Sequence, residues 1–179
     1  MQIKFINKPP VTKTTDVLIV PVFAGTKQLK EHKKISELIK DKTVTGKEGE
    51  MTVLRGFGAG QTKVILAVGL GAKKKFGYEV LRKVAGQLAR ELKALPGRRA
   101  VWLASEEWQL PGQEPAKMAQ AFAEGYVLGG YKFDKYKSKP KEDKKTITTM
   151  LVAGRQLKKC ARLNEGVVMG QVVAAAANM

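Results

Sequence analysis

The chain is 179 residues long and 44% hydrophobic, enough for one domain with a sizeable core and too short for two. Its 33 Lys+Arg against 16 Asp+Glu give a net charge of +17, which favours solubility or attraction to polyanions and says nothing about fold. No run of 18 apolar residues offers a transmembrane helix, and "MQIKFINKPP" carries no export signal. One cysteine and one histidine exclude an internal disulfide and a His/Cys zinc site, so the chain reads as cytoplasmic.

In chain order, "IKFI" (3–6) and "DVLIVPVF" (16–23) read as strands, the second a near-continuous apolar run of the kind buried on both sheet faces. Leu29, Ile35, Leu38 and Ile39 share one side of a short helix over 28–40. A turn "GKEGE" (46–50), a strand "MTVLR" (51–55), a Gly-rich turn "GFGAGQ" (56–61) and a second buried strand "KVILAVGL" (63–70) follow. Leu81, Val84, Ala85, Leu88, Leu92 and Leu95 mark a strong helix from Tyr78, closed by Pro96-Gly97. "RAVWLA" (99–104) is a strand, and 115–129 a helix that opens on Pro115, with Met118, Phe122 and Tyr126 one turn apart. A polar loop, "KSKPKEDKK" (137–145), precedes a strand "ITTMLVAG" (147–154). A long helix over 156–176 then places Leu157, Cys160, Ala161, Asn164, Val168, Val172 and Ala175 on one face. Its end, "VVAAAANM", stops in helical register without a cap, Gly or Pro, as in a chain cut or linked onward. Strands alternating with helices predict an α/β fold whose mixed, mostly parallel sheet is covered on both faces.

The charge is unevenly spread. Residues 51–100 hold eleven basic and two acidic residues, whereas 101–150 are nearly balanced. If the excess grips nucleic acid, the candidates are Lys73, Lys74, Lys75, Arg82, Lys83, Arg98 and Arg99, projecting near one edge of the sandwich. A second candidate is "YKFDKYKSK" (131–139), where Tyr131, Phe133 and Tyr136 interleave with lysines. The loops "RGFGAGQ" and "VGLGAKKKFG" are Gly-rich, yet neither matches G-x-G-x-x-G opening a helix or a P-loop, so plain turns are the simpler reading. His32 lies among charged neighbours on a polar helix side, and Cys160 in an apolar stripe reads as a buried, inert thiol. Ser105 beside Glu106 and Glu107 has no histidine near it in sequence and no nucleophile elbow. No constellation reads as catalytic.

The ordered segments "DVLIVPVFAG", "ISELIK", "TGKEGEMTVL", "KVILAVGLG", "EVLRKVAGQLARELK", "AEGYVLGGYKFDKYKSK" and "LNEGVVMGQVV" resemble the N-terminal domain of leucyl aminopeptidases, the M17 metallopeptidases. The resemblance implies a three-layer α/β/α sandwich, macro-domain-like, over residues 1–155, and a linker helix over 156–179 leading to a catalytic domain. It implies that Tyr131, Phe133 and Tyr136 are packing residues. It further implies that the two divalent metal ions, zinc or manganese, belong to that catalytic domain, whose "NTDAEGR"-type motif does not occur here. On this reading the chain alone is inactive, monomeric and without a cofactor. The intact parent, a homo-oligomer of hexamer type, releases N-terminal amino acids from peptides, and this domain arranges the oligomer and active-site access. Two positions depart from the family pattern: "AAAANM" lacks the junction proline, and Gln171 stands where an Arg is usual. Two other readings remain: a DNA-binding accessory module, as in some bacterial relatives, and an ADP-ribose-type binder supported by fold analogy alone.

Overall fold

The computed structural model describes residues 2–7, 15–29, 33–56, 62–131 and 147–178. Six strands form one sheet: β1 (Gln2–Ile6), β2 (Val17–Val22), β3 (Met51–Arg55), β4 (Val64–Gly69), β5 (Arg99–Leu103) and β6 (Thr149–Ala153). Their spatial order is β1-β6-β5-β2-β4-β3. Every neighbouring pair is parallel except β3–β4, which is antiparallel. The helices are α1 (Lys33–Lys40), α2 (Tyr78–Ala94), α3 (Pro115–Gly130) and α4 (Leu163–Ala177). The α/β class and the mixed, mostly parallel sheet are as the sequence predicts.

The strand patterns follow position in the sheet. Central β2 and β4 are apolar almost throughout, because helices or loops cover both of their faces. Edge strand β1 alternates, with Ile3 and Phe5 inward and Gln2 and Lys4 in water. One face, lined by Ile3, Phe5, Val17, Ile19, Leu66, Val68, Trp102 and Val152, carries the main core under α2, α3 and α4. The other face, with Val20, Val22, Leu54, Ile65, Ala67 and Leu103, packs on Ile35 of α1 and on Val44. Helix α2 buries Leu81, Val84, Ala85, Leu88 and Leu92, the stripe its spacing predicts. Its end is fixed by Gly97, at φ 130°. Asp16 fills the space beside that glycine, and its carboxylate accepts the Arg98 and Arg99 amides at 2.9 and 3.0 Å.

Three helices stack closely through glycines. A Cβ on Gly129 would stand 2.6 Å from the Gly86 carbonyl carbon in α2, and one on Gly166 of α4 would stand 2.9 Å from that of Ala116. Helix α3 therefore lies between α2 and α4 with small residues on both flanks. Met118, Phe122 and Tyr126 of α3 point into the core, where the Phe122 ring lies 5.5 Å from Trp102 and 6.0 Å from Tyr126.

Four expectations need correction: both end helices, Cys160 and Tyr131. The first helix starts at Lys33, not at residue 28, and Ser36 Oγ ties back to Leu29 by accepting its N–H at 2.8 Å. The last helix does not begin at 156. Residues Arg155–Lys159 form a 3₁₀ turn, Arg162 adopts a left-handed φ of 57°, and α4 starts only at Leu163. Its buried residues are Leu163, Gly166, Val167, Gly170 and Ala174, so Val168 and Val172 face outward, the reverse of the predicted phase. Cys160 lies before the helix and is only half-buried. His32, the tip of "RGFGAGQ", the loop 137–145 and all of "YKFDKYKSK" after Tyr131 lie outside the described residues. Tyr131 itself is 49% exposed and is not a core residue.

Candidate functional site

The seven sequence-selected cations do not share an edge. Lys73–Lys75 form a short 3₁₀ turn just beyond the carboxyl end of β4, and α2 begins three residues later. Arg82 and Lys83 sit in the second turn of α2, still near that end. Arg98 and Arg99 open β5 at the opposite end of the parallel sheet, about 15–20 Å away along the strands. Two of the cations are committed to carboxylates. Lys73 Nζ lies 2.6 Å from Glu106 Oε2, and Arg82 bridges Glu79 at 2.5 Å and Glu124 at 2.8 Å. Lys74, Lys75 and Lys83 remain exposed at one end.

In open α/β sheets ligands bind beyond the carboxyl ends of strands, where the strand order reverses. Here that place lies over β2, which has β5 on one side and β4 on the other. The loop "VGLGAKKKFG" runs there, but the three amides nearest the end of β4 are already used. Gly69 N–H donates to Glu50 O at 2.8 Å, Leu70 N–H to Val22 O at 2.9 Å and Gly71 N–H to Gly46 O at 2.9 Å. Phosphate capture by backbone amides needs those donors free. The Lys73–Glu106 pair also links the segments that follow β4 and β5 across this position. The plain-turn reading of this loop is the one the hydrogen bonds support.

The Ser105–Glu107 segment holds a buried carboxylate. Glu107 is wholly buried and accepts Trp102 Nε1–H at 2.8 Å, Ser105 N–H at 3.0 Å and the Ser105 hydroxyl. Burial pushes its carboxyl above the usual glutamate range, and these hydrogen bonds offset part of the rise. All its donors belong to the same turn and strand, so it pins the Trp-rich end of β5 and faces no open substrate position. Nearby, Cys160 Sγ–H donates to the Trp108 carbonyl at 3.4 Å. Burial raises its pKa, which favours the unreactive thiol.

Two open grooves mark the surface. One, about 420 Å³, runs between α2 and α3, with Arg82, Lys83, Gln87 and Arg90 on its wall and Gly125 and Gly129 in its floor. The other, about 490 Å³, lies beyond β1 beside Asn7, Cys160, Arg162 and Asn164. Beneath the first groove, Glu124 is held by Arg82 and by Gln120 Nε2 at 2.8 Å. The sequence reading missed Glu124, although a carboxylate inside the apolar run "AFAEGY" signals a buried pair.

A two-metal hydrolytic centre needs several carboxylates converging on one point. Among the described residues no three His, Cys, Asp or Glu side chains come together to hold a metal ion. Glu107 is engaged by its own segment, and Glu124 by Arg82 and Gln120. The donors present do not fit such a centre. Among the described residues no helix is long and apolar enough to cross a membrane.

Comparison with known proteins supplies what the side chains do not. Residues 19–140 match the model of the cytosol aminopeptidase family, N-terminal domain. A probable cytosol aminopeptidase of Sulfurihydrogenibium sp. (strain YO3AOP1) is 32% identical over 187 residues, spanning 99% of this chain and 36% of the relative. One from Solibacter usitatus (strain Ellin6076) is 32% identical over 178 residues, spanning 99% of this chain and 34% of the relative. The chain thus covers about a third of the length of these curated relatives. A tomato leucine aminopeptidase mutant superposes with a TM-score of 0.74 at 18% identity, over 99% of this chain and 37% of that one. The bottromycin maturation enzyme BotP, solved in complex with Mn, gives 0.64 at 21% identity over 91% of this chain and 30% of its own. At these identities the superpositions show the fold alone. The family match and the relatives together place the chain in the cytosol aminopeptidase family, as its N-terminal domain.

Proposed function

We propose that this chain is the non-catalytic part of a metal-dependent aminopeptidase, arranging the oligomer and shaping access to an active site carried by the rest of the protein. The observation that carries the reading is coverage: 99% of the chain aligns with about a third of two cytosol aminopeptidases. The side-chain chemistry agrees, since the conspicuous buried carboxylates are both occupied by structural donors. The peptide-bond chemistry, and the zinc or manganese it uses, belong on this reading to the remaining two thirds.

Two measurements test it. The purified chain, given zinc or manganese, should hydrolyse leucine p-nitroanilide no faster than buffer; turnover that survives repurification and vanishes with a chelator would refute the reading. Grafting residues 1–179 in place of the matched third of the Sulfurihydrogenibium relative should restore assembly that its remaining two thirds alone lacks, read by sedimentation. A remainder that assembles and turns over fully by itself would remove the role proposed here. For the DNA reading, five of the seven cations lie near the carboxyl end of the sheet, where Lys74, Lys75 and Lys83 are exposed, while Arg98 and Arg99 stand at the other end and would not join the same contact.

A further inference from the structure

The groove between α2 and α3 has one polar wall, one apolar wall and a floor of bare backbone. Its volume of about 420 Å³ lies within the ~300–1,000 Å³ of small-ligand sites. Gly86, Gly125 and Gly129 form the floor, where the two helices approach too closely for a Cβ at Gly125 or Gly129. On α2, Lys83, Gln87 and Arg90 stand at i, i+4 and i+7, so they make one exposed ridge along the groove. On α3, Leu128 borders the same floor and is 39% exposed. The cations of the polar wall differ in what holds them. Arg82 is tied to Glu79 and Glu124. Lys83 and Arg90, among the described residues, have no carboxylate partner.

We propose that this groove binds a short acidic stretch of peptide in an extended conformation. An extended chain points successive side chains to opposite sides, so a Glu-x-Glu segment turns two carboxylates toward α2 and the residue between them toward Leu128. Those carboxylates lie about 7 Å apart. Lys83 and Arg90 start about 10.5 Å apart along the helix, and their long, flexible side chains lean inward to meet them. The glycine floor lets the peptide backbone lie close against both helices. The net charge of +17 draws acidic partners to the whole chain, and the groove adds an apolar contact at one place. Nucleic acid suits the groove less, because Glu48 and Glu79 also line it and oppose a strand that carries a phosphate at every step. The site lies wholly within this chain, so it goes beyond the accessory role and does not depend on it.

The amide signals of the floor glycines report binding directly in the full 179-residue chain. The peptide acetyl-Ala-Glu-Leu-Glu-Ala-amide should move the Gly86, Gly125 and Gly129 signals saturably in proton–nitrogen correlation spectra, and its Gln-Leu-Gln counterpart should not. Lys83→Gln and Arg90→Gln should each weaken binding about 3–5-fold, the strength of one exposed ion pair, whereas Lys74→Gln should change it less than about 1.5-fold. All three positions are exposed, so the variants keep the fold. Floor glycines that stay unmoved at about 10 mM peptide overturn the proposal. Equal losses from Lys74→Gln and Lys83→Gln assign the binding to overall charge and overturn it as well. Saturation of the same glycines by oligothymidylate at a lower concentration than by the peptide gives the groove to nucleic acid, which also overturns it.

Discussion

Gly125→Ala isolates the packing of α2 on α3. A Cβ at Gly125 would lie inside the Arg82 carbonyl oxygen, 2.7 Å from its carbonyl carbon and 2.9 Å from its Cα. Carbon atoms rest at about 3.5–4.0 Å, so the helices must part by roughly 1 Å, and backbone atoms cannot rotate aside. Overpacking of one methyl usually costs about 1–3 kcal/mol, and a backbone obstacle argues for the upper end. Separation also strains the Arg82 Nε–Glu124 pair at 2.8 Å, which spans the same gap. Alanine returns about 1 kcal/mol of helix propensity, leaving a net loss of about 2 kcal/mol. For a domain of this size that lowers the melting temperature by about 4–8 °C, measurable by circular dichroism. Gly130→Ala is the control: its Cβ would meet only Ala89 Cβ at 3.7 Å, an ordinary van der Waals distance, so it loses nothing to packing and, with part of the propensity gain at the last residue of α3, should melt no lower than the parent. A Gly125→Ala protein as stable as Gly130→Ala would refute the close approach.

Glu107→Gln should flatten the pH dependence of stability. Because burial raises the folded carboxyl above its ordinary value, the folded state holds the proton more tightly than the unfolded chain. The stability Glu107 contributes is present below the ordinary glutamate pKa and is lost as pH rises through the folded value. The Gln variant keeps one oxygen to accept Trp102 Nε1–H and Ser105 N–H, and its amide N–H can donate to the Ser105 hydroxyl oxygen once that hydroxyl turns, so it should match the parent in melting temperature at pH 4 and exceed it at pH 8; an equal gap at both would contradict this. Arg82→Met strips the main cation from Glu124, whose side chain is 8% exposed. Since Arg82 itself is a third exposed, the loss should be about 1–2 kcal/mol, and adding Glu124→Leu should recover it in thermal melts. Lys73→Met breaks a pair whose two side chains are each at least half exposed and should cost under about 1 kcal/mol, so a larger loss would mean the pair is a true strap. Leu88→Ala empties a fully buried position and should cost about 2–5 kcal/mol in urea unfolding.

Most of the fold was legible because its elements carry one clear period each. The runs in β2 and β4 read as buried strands, and the Leu81-to-Leu92 spacing set the inner face of α2. Helix α4 failed for the opposite reason: apolar residues on every side leave no phase to read, and nothing in "KKCAR" shows that Arg162 turns left-handed. The cations failed because sequence neighbours can be placed without revealing which end of the sheet they occupy; that depends on the direction of β5 relative to β4. In sequence Glu107 is simply one of two adjacent acids beside Ser105, and only the folded turn shows that Trp102 and Ser105 enclose it.

The pairing of β1 with β6 has a consequence in time. The two strands lie in register from Gln2 beside Thr149 to Ile6 beside Ala153. During synthesis, β1 is made long before the strand that completes it, an interval of about 7–30 s at ribosomal speeds of about 5–20 residues per second. For that time Ile3, Phe5 and a row of unpaired amides are available to any other extended chain, the hazard of an open sheet edge. Pairings so distant in sequence also form slowly, because the intervening chain must lose its freedom before the two strands can attract each other. The domain's exposure to chaperones and to misassembly is therefore set less by its native stability than by how late the sheet can close over its first strand.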